Sequence, residues 1–397
     1  MSRFPLFPLL LSLSTTLQSA CLQDKCSVQP FKDNDAECMP DMTISPDLSV
    51  LPDGNNNPNM TKLASFGTTL SYQFTLTGSK KRVDSVGMIE LKKNDTDGNI
   101  EIGQVGALIA DHVNHKIGVI LQTIKIKNGV PVSLPKMNVP EADSTIPVTD
   151  QIDSASFSRA GVTYFAKDDA GKSAMFFAPW FSVTGPIGIS EKDTGQYYSL
   201  SSDVDGRIHA VINSNGTSAS LLVSRSSVFY SDNLFKWPDG FPAPRRVLVG
   251  NLDRDQEPEL ITWDSMGSNA MLFKYDGNAF VEKSRNVPSL GICAGIICPV
   301  ALGDLNQDGL SDLVIANNPG IKIHYAKVVD GKTSFTEATN YPAALNQATN
   351  VEAIAVSIPS GDDKPKLVWA TSSFTPDKID SPTGTNTITI NVLPIMN

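Results

Sequence analysis

From about residue 63 to the end, short apolar or alternating runs are separated by turn residues. Such runs occupy positions 70–76, 117–126, 221–223, 247–249, 270–275, 321–327 and 387–392. Asp-Gly pairs at 97–98, 205–206, 276–277 and 330–331 punctuate them, which is the chemistry of tight hairpins. Long apolar stretches at helical spacing are absent. Residues 22–62 are irregular, with Asn55-Asn56-Asn57-Pro58-Asn59 reading as a loop. The pattern predicts an all-β chain of many short strands.

An internal repeat organises these runs. Residues 303–315 read Gly-Asp-Leu-Asn-Gln-Asp-Gly-Leu-Ser-Asp-Leu-Val-Ile, and residues 250–262 align to them without a gap. Acidic or amide side chains fill positions 1, 3, 5 and 9 of both loops, and an apolar strand follows each. Weaker copies lie at 201–209, near 358–366 and at 93–101, and none is legible near residue 147. A period near 52 residues over about 375 exported residues suggests seven units of four short strands, the content of a propeller blade. The last unit is short of a strand after 387–392. In a ring, a strand from the N-terminal region completes it, and residues 42–51 are the candidate.

Carboxylates at alternate positions have a physical reading. Calcium takes six to eight oxygens at about 2.3–2.6 Å, and a tight loop turns alternate side chains inward. Position 7 adds a carbonyl and position 9 closes the shell. Gly309 at position 6 allows the positive φ of the sharp turn. Without a cation, Asp304, Asp308 and Asp312 repel one another. An EF-hand needs Glu at position 12 and flanking helices. Position 12 is Ile315 in one loop and Thr262 in the other, and the flanks read as strands. A metal loop joining two strands remains.

These loops resemble the FG-GAP or VCBS repeats of the seven-bladed head of integrin α chains. Fungal propeller lectins and many exported microbial proteins belong to the same superfamily. The resemblance is legible over roughly residues 195–375. It implies a seven-bladed β-propeller with calcium loops between strands of some blades. It implies Ca²⁺ ligands from Asp304, Asn306, Asp308, the Leu310 carbonyl and Asp312. The second loop offers Asn251, Asp253, Asp255, the Glu257 carbonyl and Glu259. It departs from the pattern at Asn251, Gln256 and Glu259, and Gln at a positive φ costs on the order of 1 kcal/mol. Weaker binding is expected there. The copies at 93–101, 201–209 and 358–366 carry Lys93, His209 and Lys364, poor company for calcium, and read as turns.

The first twenty residues predict export. Residues 1–20 have a positive start at Arg3, an apolar run at 4–13 and small residues Ser19 and Ala20, the pattern of a secretory signal peptide. That run is too short to span a membrane, and no later segment is longer. Cys21 raises a lipid anchor, but Gln18 stands where a lipoprotein signal needs an aliphatic residue, so ordinary cleavage is expected. Export permits disulfides. Cys293–Cys298 and Cys26–Cys38 are the local pairs, with Cys21 left over. Sequons at Asn59, Asn94 and Asn215 are glycan acceptors in a eukaryotic host. The net charge of −10 argues against nucleic acid as a partner. The one basic run, Lys80-Lys81-Arg82, reads as a solvated hairpin tip.

Catalytic signatures are missing: no Gly-x-Ser-x-Gly, no His-Glu-x-x-His, no phosphate loop and no dinucleotide fingerprint. Four histidines occur; His112 and His115 read as part of a polar turn, and His324 as cross-strand paired or solvent-facing. Trp263 and Trp369 read as packing between blades, whereas Trp237 lies in a loop and Trp180 is a further aromatic that could stack on sugars. The sequence therefore points to a secreted, calcium-stabilised, non-enzymatic module binding an extracellular protein or carbohydrate ligand. The competing readings are a polysaccharide-degrading enzyme on the same fold and a structural module of a surface complex.

Overall fold

A computed structural model describes residues 64, 66–91, 100–111, 113–127, 130–131, 137–143, 155–167, 171, 173–179, 187–188, 196–204, 208–214, 219–225, 228–230, 244–253, 255, 257, 259–276, 280–293, 296–317, 319–338, 342–358 and 364–395. All fall within one compact unit spanning residues 57–397. The expected signal peptide, Cys21, Cys26, Cys38, residues 42–51, the three sequons, His112, Trp180 and Trp237 lie outside the described residues.

The chain is all-β as its pattern predicts, with a single short helix, Ala343–Asn346, among the described residues. They form five four-stranded antiparallel sheets, one sheet of five strands whose fifth pairs off the path of the other four, and a two-stranded hairpin. The first sheet begins with Arg82–Leu91 and the second with Ala155–Phe157. Gln196–Ser202, Pro244–Gly250, Val300–Gly303 and Ala353–Val356 begin the third to the sixth. Each of these first strands lies against the next, and the sixth lies against the first. A closed ring of radiating sheets is a β-propeller. The ring has six blades among the described residues, where seven were expected. A 52-residue period yields seven units only when the residues before Leu70 are counted. The blades begin only at Leu70, and the first runs from Arg82 to Asp143 with extra outer segments Val130–Pro131 and Met137–Asp143.

Burial explains why the strands read as they do. Gly161–Lys167, Glu259–Asp264 and Asp312–Ala316 are second strands, covered on both faces by neighbouring sheets and buried almost throughout. Leu70–Ser79 is an outermost strand and alternates half-buried with exposed. Separate apolar clusters fill the spaces between successive blades. One joins the fourth to the fifth through Trp263, Leu272 and Ile315, another the first to the sixth through Met88, Val368 and Ile390. Trp263 and Trp369 are buried, as packing residues should be.

First strands expose unpaired N–H groups toward the centre, and serine hydroxyls of adjacent blades accept them. Ala155 N donates to Ser85 Oγ at 3.2 Å, Ser202 N to Ser156 Oγ at 2.8 Å and Val249 N to Ser201 Oγ at 3.0 Å. Ile358 N donates to Met88 O at 2.8 Å, which closes the sixth blade on the first. Glycine is demanded at Gly87, where a Cβ would sit 2.3 Å from Phe157 Cγ.

The ring is shut by a strand from the N-terminal side, as expected, but by a different one. Leu70–Ser79 pairs with Thr383–Pro394 from Leu70↔Val392 to Ser79↔Thr383. Residues 42–51 are not needed to complete the sheet. The chain then turns into the first blade through Lys81. This lysine is buried and lies 3.6 Å from Asp111 Oδ2, so Lys80-Lys81-Arg82 is not a solvated tip. Its partner is thirty residues away and invisible to a local reading. Asp330-Gly331 is a hairpin turn as expected, with φ of 51° and 70°.

Candidate metal centre

Both acidic loops join the first to the second strand of a blade, between Gly250 and Glu259 in the fourth and between Gly303 and Asp312 in the fifth. The weaker copies occupy the same connection in the first, third and sixth blades. The missing copy near residue 147 corresponds to a tight turn in the second blade, where Ser158 N donates to Gly161 O at 2.8 Å. A nine-residue loop does not fit there.

The 304–312 loop is built inward. Leu305 joins the apolar cluster between the fifth and sixth blades, and Leu310 joins the one between the fourth and fifth. The loop is therefore held by three blades. Gln307 and Gly309 have φ of 56° and 86°, the second as the sequence requires. Asp308 N donates to Asp304 Oδ1 at 3.0 Å and to Asn306 Oδ1 at 3.1 Å, and Gly309 N to Asp304 Oδ2 at 2.8 Å. Leu310 N donates to Asp308 Oδ1 at 2.9 Å. Asp312 is fully buried and accepts from Leu305 N and Ala326 N, each at 3.0 Å.

The electrostatics of this loop are those of a site short of positive charge. Burial pushes the Asp312 carboxyl up to about 8 against its two N–H donors, and the negative charges of Asp304 and Asp308 add to the rise. Burial likewise raises Asp304, with Asp308 again adverse. A group of buried oxygens with mutual repulsion, one neutral amide and a carbonyl at position 7 fits a hard dication. Asp304, Asn306, Asp308, the Leu310 carbonyl and Asp312 would hold Ca²⁺. The ion would supply the charge that the loop lacks.

In the 251–259 loop, Asp253, Asp255 and Glu259 each bring a carboxylate oxygen within 4.8 Å of the others. Glu259 is buried and its Oε2 accepts from Leu252 N at 2.7 Å. Burial raises its carboxyl to about 8. Asn251 turns its amide onto the loop, donating to Asp255 O at 2.8 Å, and Glu257 N donates to Asp255 Oδ1 at 2.9 Å. A cation is already present: the Lys274 ammonium pairs with Asp253 and Asp255. Burial opposes its charge, but the two carboxylates outweigh this and hold it above the ordinary lysine range, while Asp255 is held below the carboxylate range. Lys274 was missed by sequence reading because it alternates with Phe273 and Tyr275 as an ordinary strand residue. Its place directly across from position 9 of the loop is the signal that could have found it.

The two loops touch. Ser311 N donates to Asn251 O at 2.7 Å, and Thr333 Oγ1 in the outer strand of the fifth blade donates to Leu252 O at 3.0 Å. The expected Cys293–Cys298 disulfide is formed, with Cα atoms 4.8 Å apart, beside the fourth-to-fifth junction. Arg246, buried, donates to Cys298 O there. The same two blades are thus joined by acidic loops at one end and by a disulfide-bonded hairpin at the other.

The first strands enclose a narrow cavity of about 110 Å³, lined by Ser85, Phe157, Ser201, Leu248, Leu302 and Val356 among others. His324 is half-buried, in register with Leu313 and Glu337, so the cross-strand reading of it holds. Val113, Asn114 and His115 form an exposed turn. Among the described residues no helix is long and apolar enough to cross a membrane.

No family model matches the chain, and no curated protein matches it. Solved structures do. A fungal lectin from Aleuria aurantia, described as a six-bladed β-propeller with a novel fucose recognition mode, is 11% identical over 72% of this chain and 87% of its own, with a TM-score of 0.39. A chain of a nidogen/laminin complex is 13% identical over 64% of this chain and 81% of its own, TM-score 0.36. A putative TolB from Agrobacterium tumefaciens is 10% identical over 83% of this chain and 100% of its own, TM-score 0.36.

Proposed function

We propose that this chain is a secreted β-propeller that binds one or more calcium ions to stiffen its ring and acts as a non-enzymatic binding module for an extracellular protein or carbohydrate. The observation that carries this reading is the 304–312 loop, whose mutually repelling carboxylates, Asp312 buried and Asp304 and Asp308 half-buried, are anchored by Leu305 and Leu310 to both adjacent blades. A cation there ties three blades together. Its resemblance to FG-GAP or VCBS calcium loops supports the same reading. The ion serves the scaffold, and a ligand is met elsewhere on the ring. Turns joining second to third strands emerge at the end opposite the acidic loops. There Val113, Met266 and Ile379 are exposed at the tips of three blades.

A glycan array run beside incubation with polysaccharides tests the functional half. Stable, saturable retention of a glycan without release of sugar is expected if the ligand is carbohydrate. Retention of extracellular protein alone shifts the ligand class but keeps the module reading. Sugar release without stable binding overturns it in favour of an enzyme.

A further inference from the structure

We infer that the 251–259 loop is a calcium loop whose cation is supplied by the protein itself: the Lys274 ammonium stands in the ion's place, so the chain takes up calcium in the fifth blade only. The inference rests on the reading that the 304–312 loop binds calcium.

Three observations carry it. The first is convergence: Asp253, Asp255 and Glu259 offer oxygens within 4.8 Å of one another. The second is the occupant. Lys274 Nζ pairs with Asp253 Oδ2 and Asp255 Oδ2 and lies 3.8 Å from Glu259 Oε1, so one ammonium faces all three carboxylates. Glu259 Oε1 is buried and accepts no hydrogen bond, leaving this charge as its counterpart. The third is register. Leu260 pairs with Phe273 and, 53 residues on, Leu313 pairs with His324. One step along each ladder, Lys274 stands across from Glu259 and Tyr325 across from Asp312. The two blades are matched strand for strand, and at this one point the fourth has a cation where the fifth has a neutral phenol.

The chemistry follows. An ammonium is a compact point charge with three donors, suited to a small group of carboxylate oxygens. A dication cannot share that volume with it, because both would sit within a few ångströms in a partly dehydrated loop. Position 1 is consistent: Asn251 spends its amide on the Asp255 carbonyl, where the fifth blade has the carboxylate of Asp304. The fourth blade keeps its loop closed at any calcium level, and the fifth depends on the ion.

Counting bound calcium by equilibrium dialysis of the whole metal-stripped secreted chain tests this. Wild type should bind one ion and Lys274→Met two. Asp308→Ala should bind none, and Asp308→Ala with Lys274→Met one. Lys274→Gln, which keeps a polar side chain and adds an oxygen, should also give two and serves if the Met variant does not fold. The inference is overturned if wild type binds two ions and Asp255→Ala loses one, or if folded Lys274→Met and Lys274→Gln both bind no more than wild type. If Asp308→Ala leaves the wild-type count unchanged, the fifth-blade reading fails separately, and a gained site in Lys274→Met still reports on the fourth.

Discussion

A chain starting after Ser79 is expected to lose cooperative folding and to aggregate. The missing strand, Leu70–Ser79, makes ten residue pairs with Thr383–Pro394. Leu70, Tyr72, Phe74 and Leu76 pack against the cluster between the first and sixth blades. Half-burial of four such side chains is worth about 1 kcal/mol each. The ladder adds hydrogen bonds at roughly 0.5–1.5 kcal/mol apiece. Asn386, with no exposed surface, donates from Nδ2 to Ser79 O at 2.8 Å and to Leu76 O at 3.4 Å, so its buried N–H groups lose both acceptors. These terms together approach the ~5–15 kcal/mol that holds a domain folded. The remaining edge strand would present unpaired N–H and C=O groups beside Ile388, Ile390 and Val392. Size-exclusion chromatography and near-ultraviolet circular dichroism of the shortened chain check this. A monomer with a native spectrum would show that the ring does not need this strand.

Asp312→Ala is expected to be the most damaging single substitution in the acidic loops. The carboxylate is fully buried and is the acceptor for both Leu305 N and Ala326 N. Each buried donor left without a partner costs about 1–3 kcal/mol, so the loss is roughly 2–6 kcal/mol even without metal. Asp308→Ala should behave differently. It gives up loop contacts from Leu310 N and Asn306 Nδ2 in a half-buried position, about 1 kcal/mol, and beyond that chiefly what calcium contributes. Denaturant midpoints of the two variants in chelator separate the cases. Equal midpoints would mean that Asp312 does not hold the loop to the third strand of its blade.

Much of this architecture is written locally. Acidic loops recur because one connection per blade, first strand to second, tolerates a long turn, and aspartate and glycine there are conspicuous. That is why five copies are legible and mark one position in the ring. Turn Ser158–Gly161 needs no such residues, so the second blade leaves no trace. The blade count was misjudged because the first blade is long and the residues before Leu70 were included. What stayed hidden is non-local. The strand Leu70–Ser79 alternates like any edge strand, and nothing in it says that its partner lies some 310 residues on. Lys81 looks solvated until Asp111 is placed beside it, and Lys274 looks solvated until Asp253 and Asp255 are. Charges paired across strands are read from register, which single-sequence patterns do not supply.

A calcium site in the 304–312 loop that stiffens the ring must show itself in thermal stability. Thermal unfolding of wild type and Asp308→Ala, each with excess calcium and with chelator, tests it most directly. At free calcium about a hundred times the dissociation constant, one site adds ~2.7 kcal/mol. On a chain of this size that is a rise of several degrees. That rise is expected for wild type and none for Asp308→Ala, whose stability should match that of chelated wild type to within about 1 kcal/mol. Wild type that melts at the same temperature with calcium and with chelator, and Asp308→Ala that melts there too, would contradict it.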